Sequence, residues 1–167
     1  IGLARQAELL SPARPCGVRR ARARSSRHGG RLRGRRLVAL GPLALNIQAP
    51  DEGNVNLLNV VATPEQKTRW LGPLVRGEIR TVFAMTETTT DGAGSDPSLL
   101  NTVAREDADG HRISGRKYMI TGMPDASLVI VMARTLDRAG NDLGATMFLL
   151  DIDAPGLALV RMLDTID

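Results

Sequence analysis

Three features of the sequence predict an α+β chain: short helices packed on a mostly antiparallel β-barrel or sandwich, behind a disordered Arg-rich N-terminus. Residues 63–66 read Thr-Pro-Glu-Gln, a helix start with an N-cap hydroxyl, a proline at the first helical position and a capping box. After Glu78 the apolar spacing changes from helical to strand-like. Seven short strand-like runs then follow at nearly regular spacing, bounded by turn residues, as in an antiparallel barrel or sandwich.

Residues 1–42 stand apart. The first 40 residues hold eleven Arg and one acid, Glu8, whereas residues 41–167 hold eleven Lys plus Arg against seventeen Asp plus Glu. The net charge of +4 therefore joins two opposed regimes, and the basic balance belongs to the first. No apolar period runs through the Arg-rich text, so it is expected to be disordered. Its readings are a basic arm for nucleic acid or an acidic membrane, an Arg- and Ser-rich transit peptide, or a non-native flank. Lysine-free Arg-Ala-Gly-Pro text is what GC-rich DNA yields in a wrong frame, and the opening Ile1 suits a truncated gene.

Residues 43–77 are expected to be helical. Pro50-Asp51-Glu52-Gly53 reads as a turn, and Val55, Leu58 and Val61 recur at helical spacing after it, predicting a helix over 54–61. The capped helix from Thr63 should run to about residue 71, where Gly72-Pro73 ends or kinks it. Trp70, Leu71, Leu74 and Val75 form an apolar patch that reads as core.

Residues 78–167 carry the predicted strands: 79–86, 99–106, 111–114, 118–121, 127–134, 145–152 and a last one from 157 to 161. The continuous apolar run at 127–134 suits a central strand, and 136–143 a hairpin loop. His111 reads as a solvent-facing hairpin residue without a catalytic role. Aromatic residues make up 2% of the chain, so its core must be aliphatic. A single cysteine, Cys16, and two distant histidines offer neither a disulfide framework nor a metal-ligand spacing. No apolar run reaches the ~18 residues of a membrane span.

The most informative stretch is 82–100. A strand-like Val82-Phe83-Ala84-Met85 ends at Thr86-Glu87 and opens into Thr88-Thr89-Thr90-Asp91, then Gly92-Ala93-Gly94-Ser95-Asp96. Bare backbone N–H groups and hydroxyls there suit a phosphate or the polar edge of a cofactor. The same residues also serve plain turn geometry, which is the commoner use.

The order of motifs says more. PEQKTRWLGPLVRGE leads into IRTVFAMTE, then GAGSD, HRISGRKYMITG, LVIVMAR and MFLLDIDAPGL. This succession resembles the acyl-CoA dehydrogenase family from about residue 43 to 161. The capped helix looks like the end of that family's N-terminal helical domain, and the strands look like its middle β-domain, here incomplete. The resemblance implies FAD as cofactor and an acyl-CoA thioester as substrate. It places Phe83, Met85 and Thr86 beside the flavin ring, and Gly94 and Ser95 near the pyrophosphate, with Ser95 also near the substrate. It places Met119, Ile120 and Thr121 against the flavin, with Thr121 near N5.

The implied reaction is α,β-dehydrogenation: a glutamate takes the α-proton and the β-hydrogen leaves as hydride to the flavin. The resemblance further implies an electron-transfer flavoprotein or similar acceptor and a homo-oligomer. It also implies a cytoplasmic site in a bacterium, or a mitochondrial or peroxisomal one in a eukaryote. The family's glutamate base belongs to a C-terminal helical domain outside this chain. The chain is therefore expected to be an inactive fragment, with no catalytic residue of its own and Glu87 as a structural hydrogen-bonding acid. Three departures stand out. The loop after Glu87 is about three residues longer than the family's, Met119 occupies a frequent aromatic position, and ITNG reads ITGM. Tyr118 cannot replace that aromatic if 118–121 is a strand, because alternate side chains face opposite ways. Two alternatives are an acyl-CoA oxidase-like enzyme on the same fold, and a non-enzymatic β-domain with a nucleic-acid-binding arm. Nucleic acid is disfavoured because no aromatics interleave the arginines.

Overall fold

The computed structural model describes residues 8–9, 48–90 and 94–163. Helix α1 (Asp51–Val61) is followed by α2 over residues 64–75. Six strands form one sheet: β1 (Glu8–Leu9), β2 (Thr81–Ala84), β3 (Val103–Asp107), β4 (Gly110–Ser114), β5 (Leu128–Leu136) and β6 (Asp142–Asp151). The rest of the Arg-rich segment lies outside the described residues. Glu8 and Leu9 pair antiparallel with Leu149 and Phe148.

The helical start at Thr63 forms as its chemistry dictates. Thr63 Oγ1 accepts from the Gln66 N–H at 3.3 Å, and Gln66 Oε1 accepts from the Thr63 N–H at 3.0 Å. The helix does not stop at Gly72-Pro73. It passes through a π-helical stretch, Lys67–Leu71, in which the Gly72 N–H reaches the Lys67 carbonyl, and continues to Val75. Pro73 has no N–H to offer the ladder, and widening the turn before it lets the axis continue. Trp70 and Leu74 are buried as expected, but Val75 is exposed.

Helix α1 begins a turn earlier than its Pro-Asp-Glu-Gly text suggests, because Asp51 has tertiary partners. Its carboxylate accepts from the Thr81 N–H at 2.8 Å and Thr81 Oγ1 at 2.7 Å, and pairs with Arg80 at 2.9 Å. Asn54 Nδ2 donates to Thr81 Oγ1 at 2.9 Å. These bonds fasten the first turn of α1 to the start of β2.

Alternation along β5 and β6 sorts the core onto two faces of the sheet. Leu128, Ile130 and Leu149 meet Leu58, Trp70 and Leu74 of the helices. Val129, Val131, Ala133, Phe148 and Leu150 meet Val82, Ala84 and Ala104 on the other face. The expected helix-and-sheet architecture is thus present, and the β5/β6, β3/β4 and β1/β6 pairs are antiparallel. Two junctions are parallel. Beside β5, β2 pairs with residues 128–131 and β3 with residues 134–136. The two strands therefore lie end to end along one edge, and the chain between them loops out and returns.

Three expected elements differ. Residues 118–121 are not a strand: Met119 has φ 54°, Gly122 has φ 83°, and a short 3₁₀ turn, Met123–Asp125, follows. Residues 157–161 are irregular and join no strand among the described residues. His111 is half-buried and not simply solvent-facing, its ring 5.2 Å from that of Phe148. Among the described residues, no helix is long and apolar enough to cross a membrane.

Candidate functional site

The loop between β2 and β3 is closed at its base by one side chain. Glu87 is 2% exposed. Its carboxylate accepts from the Asn101 N–H at 2.9 Å, the Thr102 N–H at 2.8 Å and Thr102 Oγ1 at 2.5 Å. Lys117 Nζ donates to Oε1 at 2.9 Å. Burial alone would raise the Glu87 pKa. The bonds from Thr102, Lys117 and Asn101 outweigh it and hold the carboxyl down at about 2. Burial pulls the Lys117 ammonium below its ordinary value, against the opposing pull of Glu87. This bonding is that of a structural acid, the role the family resemblance implied for Glu87.

Several of the predicted site residues lie around this hub. Lys117 Nζ also donates to the Met85 carbonyl at 2.9 Å. The Tyr118 N–H donates to the Thr86 carbonyl at 2.9 Å, and the Glu87 N–H to the Gly94 carbonyl at 2.8 Å. Met85, Thr86, Gly94 and the 117–119 segment are therefore neighbours through these bonds. Gly94 has φ 62°, a left-handed conformation that glycine adopts without a steric cost. Ser95 follows it with its side chain exposed, and Gly92 and Ala93 lie outside the described residues. Met119 is 67% exposed in its left-handed conformation, and Thr121 is exposed.

Phe83 and Ile120 are placed differently. Phe83 packs against the helix-facing cluster and Ile120 against the cluster on the opposite face. Their side chains root the two segments in separate cores. The objection to Tyr118 also changes. Since 118–121 is not a strand and Met119 is left-handed, strand alternation does not apply, and Tyr118 and Met119 are both exposed.

Sequence reading passed over Lys117, Thr102 and Gly115. A Cβ on Gly115 would lie 2.7 Å from Thr102 Cα and collide with Thr102 Oγ1, so this backbone must approach Thr102 bare. A lysine directly ahead of Tyr118-Met119-Ile120 and a glycine two residues before it were the available signals. Both lie remote in sequence from the acid they serve.

Hydroxyls, backbone amides and an exposed thioether, set at one end of a helix-backed β-domain, suit a flat ligand with a hydrogen-bonding edge. Comparison with known proteins agrees with that class. The family model for the acyl-CoA dehydrogenase middle domain matches residues 82–166, and the chain belongs to the acyl-CoA dehydrogenase family. A Mycobacterium tuberculosis protein named probable acyl-CoA dehydrogenase FadE2 is 39% identical over 126 residues, 74% of this chain and 30% of that protein. A solved acyl-CoA dehydrogenase-type structure from Mycobacterium abscessus is 38% identical, with TM-score 0.65, covering 75% of this chain and 31% of that one. The structure of PigA with FAD and proline is 29% identical, with TM-score 0.52, covering 65% of this chain and 26% of that one. The chain thus spans less than a third of the length of each.

Proposed function

We propose that this chain supplies the middle-domain side of a FAD site in an enzyme that dehydrogenates acyl-CoA thioesters at the α,β position. The observation that carries the reading is Met119. A large apolar side chain, 67% exposed in a left-handed backbone, is costly to hold and packs on little within the domain. It stands beside Thr86, whose carbonyl anchors the preceding residue. The donor set fits a flavin: the hydroxyls of Thr86 and Thr121 for its polar edge, Met119 for its ring, and Gly94 and Ser95 for its pyrophosphate. Bound FAD would supply the hydride acceptor.

The remaining chemistry belongs to the chain's own groups. Fixed hydroxyls and amides at the ring edge stabilise negative charge as it develops, without reorganising. Ser95, exposed next to the left-handed Gly94, is the residue proposed to meet the thioester ligand. Glu87 is not the base, because a carboxylate held at a pKa of about 2 by four donors accepts an α-proton poorly. The acyl-CoA substrate rests on family membership, since PigA shows the same fold with proline.

The test is titration of the intact polypeptide with FAD, followed by anaerobic addition of a saturated acyl-CoA. Saturable quenching of flavin fluorescence is expected, weakened by Thr86→Ala and by Thr121→Ala. Bleaching of the oxidised flavin absorbance by the thioester is expected from the polypeptide that also carries the base. A chain that is folded by circular dichroism yet leaves flavin fluorescence unchanged at any FAD concentration would refute the reading.

A further inference from the structure

The buried Lys117–Glu87 pair is an expensive way to close a loop. Side-chain exposure is 11% for the lysine and 1% for the glutamate, and apolar residues of similar volume often stabilise a fold as well or better. What the pair does to Thr86 gives it a purpose. Two peptide planes flank Thr86. The Thr86–Glu87 plane is held by backbone bonds, from the Tyr118 N–H to its carbonyl and from its own N–H to Gly94. The Met85–Thr86 plane has its carbonyl held by a side chain, Lys117 Nζ at 2.9 Å. In a trans peptide the C=O and N–H point to opposite sides. Holding the Met85 carbonyl therefore aims the Thr86 N–H away from the lysine.

We infer that Lys117 is a positioning residue: it clamps the Met85 carbonyl against the Glu87 carboxylate and so aims the Thr86 N–H at the flavin edge. This rests on the flavin reading above. Its geometry is specific. The ammonium spends one hydrogen on Met85 and one on Glu87. Glu87 is in turn fixed by Thr102, whose position requires the missing side chain of Gly115. The chain from Gly115 to Thr86 is thus one rigid support, and Lys117 is the link that reaches the peptide plane.

The experiment uses the intact polypeptide with Lys117→Met, which keeps the length and removes the ammonium. Three quantities are read: the Thr86 amide resonance without ligand, the FAD dissociation constant, and the visible absorption of bound flavin. The expected result is a displaced Thr86 amide, FAD binding weakened by about tenfold, as for one lost directed hydrogen bond, and an altered flavin absorption band. A variant that melts at lower temperature yet keeps its Thr86 amide, FAD affinity and flavin spectrum would overturn the inference, because the pair would then serve stability alone. If Lys117→Met fails to fold, Lys117→Arg is read by the same measurements. Its longer stem and planar fork put the donors elsewhere than the ammonium, so the Met85 carbonyl is expected to shift. A moved amide with weaker FAD binding supports the clamp, and both unchanged overturns it. Failure of the wild type to bind FAD refutes the flavin reading instead, and the Thr86 amide of the unliganded variant then decides whether the clamp exists.

Discussion

Replacing Glu87 by glutamine should destabilise the chain more than almost any other isosteric change. The carboxylate accepts on both oxygens, three donors on Oε1 and the Asn101 N–H on Oε2. An amide keeps one accepting oxygen and turns an NH₂ group toward a donor. It also leaves Lys117 as a buried cation without its counter-charge. Breaking a buried pair from one side costs about 3–5 kcal/mol. The depressed pKa, to which the same Lys117 bond contributes, gives a figure of the same order: from 4.5 to about 2, at about 1.36 kcal/mol per pH unit, is about 3 kcal/mol. The sign follows from linkage. A carboxylate with a depressed folded pKa stabilises the fold above its unfolded value, and that stability is lost as pH falls from about 4.5 towards 2. Urea denaturation between pH 2 and 7 should therefore show the wild type losing stability below about 4.5. The glutamine variant should be weaker at pH 7 and flatter in acid. Lys117, already lowered by burial, should fall further in the variant, so that its stability recovers as pH rises and the amine loses its proton. A variant within about 0.5 kcal/mol of wild type at pH 7 would behave as an ordinary surface substitution, and with an unchanged acid slope it would refute the assignment of Glu87 as the hub.

Two other substitutions test neighbouring parts of the argument. Gly115→Ala puts a methyl group against Thr102 and should cost about 1–3 kcal/mol as overpacking. Thermal melting reads this, and an unchanged Tm would mean that Thr102 moves freely. Met119→Gly relieves a left-handed φ of 54° on a side chain that is 67% exposed. It should raise stability by up to about 1 kcal/mol while weakening FAD binding, a trade of stability for function that calorimetry and flavin titration measure separately.

Local chemistry made part of this protein legible. The capping box at Thr63 closes within four residues, so its bonds are the same in the sequence and in the fold. The continuous apolar run of β5 announced a central strand, and β5 lies in the middle of the sheet with a core on each face. Glu87 was expected to be a structural acid only through the family resemblance, which puts the threonine before it at the flavin. The order of short motifs identified the family, which the match over residues 82–166 shows.

What tertiary structure alone decided was how distant segments meet. The Pro50–Gly53 text says turn, but the bonds of Asp51 to Arg80 and Thr81, about thirty residues away, extend α1 through it. Nothing local specifies that β2 and β3 share one edge of β5, because parallel pairing has no hairpin turn to announce it. The text at 118–121 has the apolar content of a strand. Its backbone is instead bent by the Tyr118 bond to Thr86 and by a left-handed Met119, which no residue-level preference favours. The sequence by itself determined which residues are apolar, capped or turn-forming. Only the fold could place Lys117 beneath Thr86, because a buried charge acquires its role from partners that the chain brings to it from some thirty residues away.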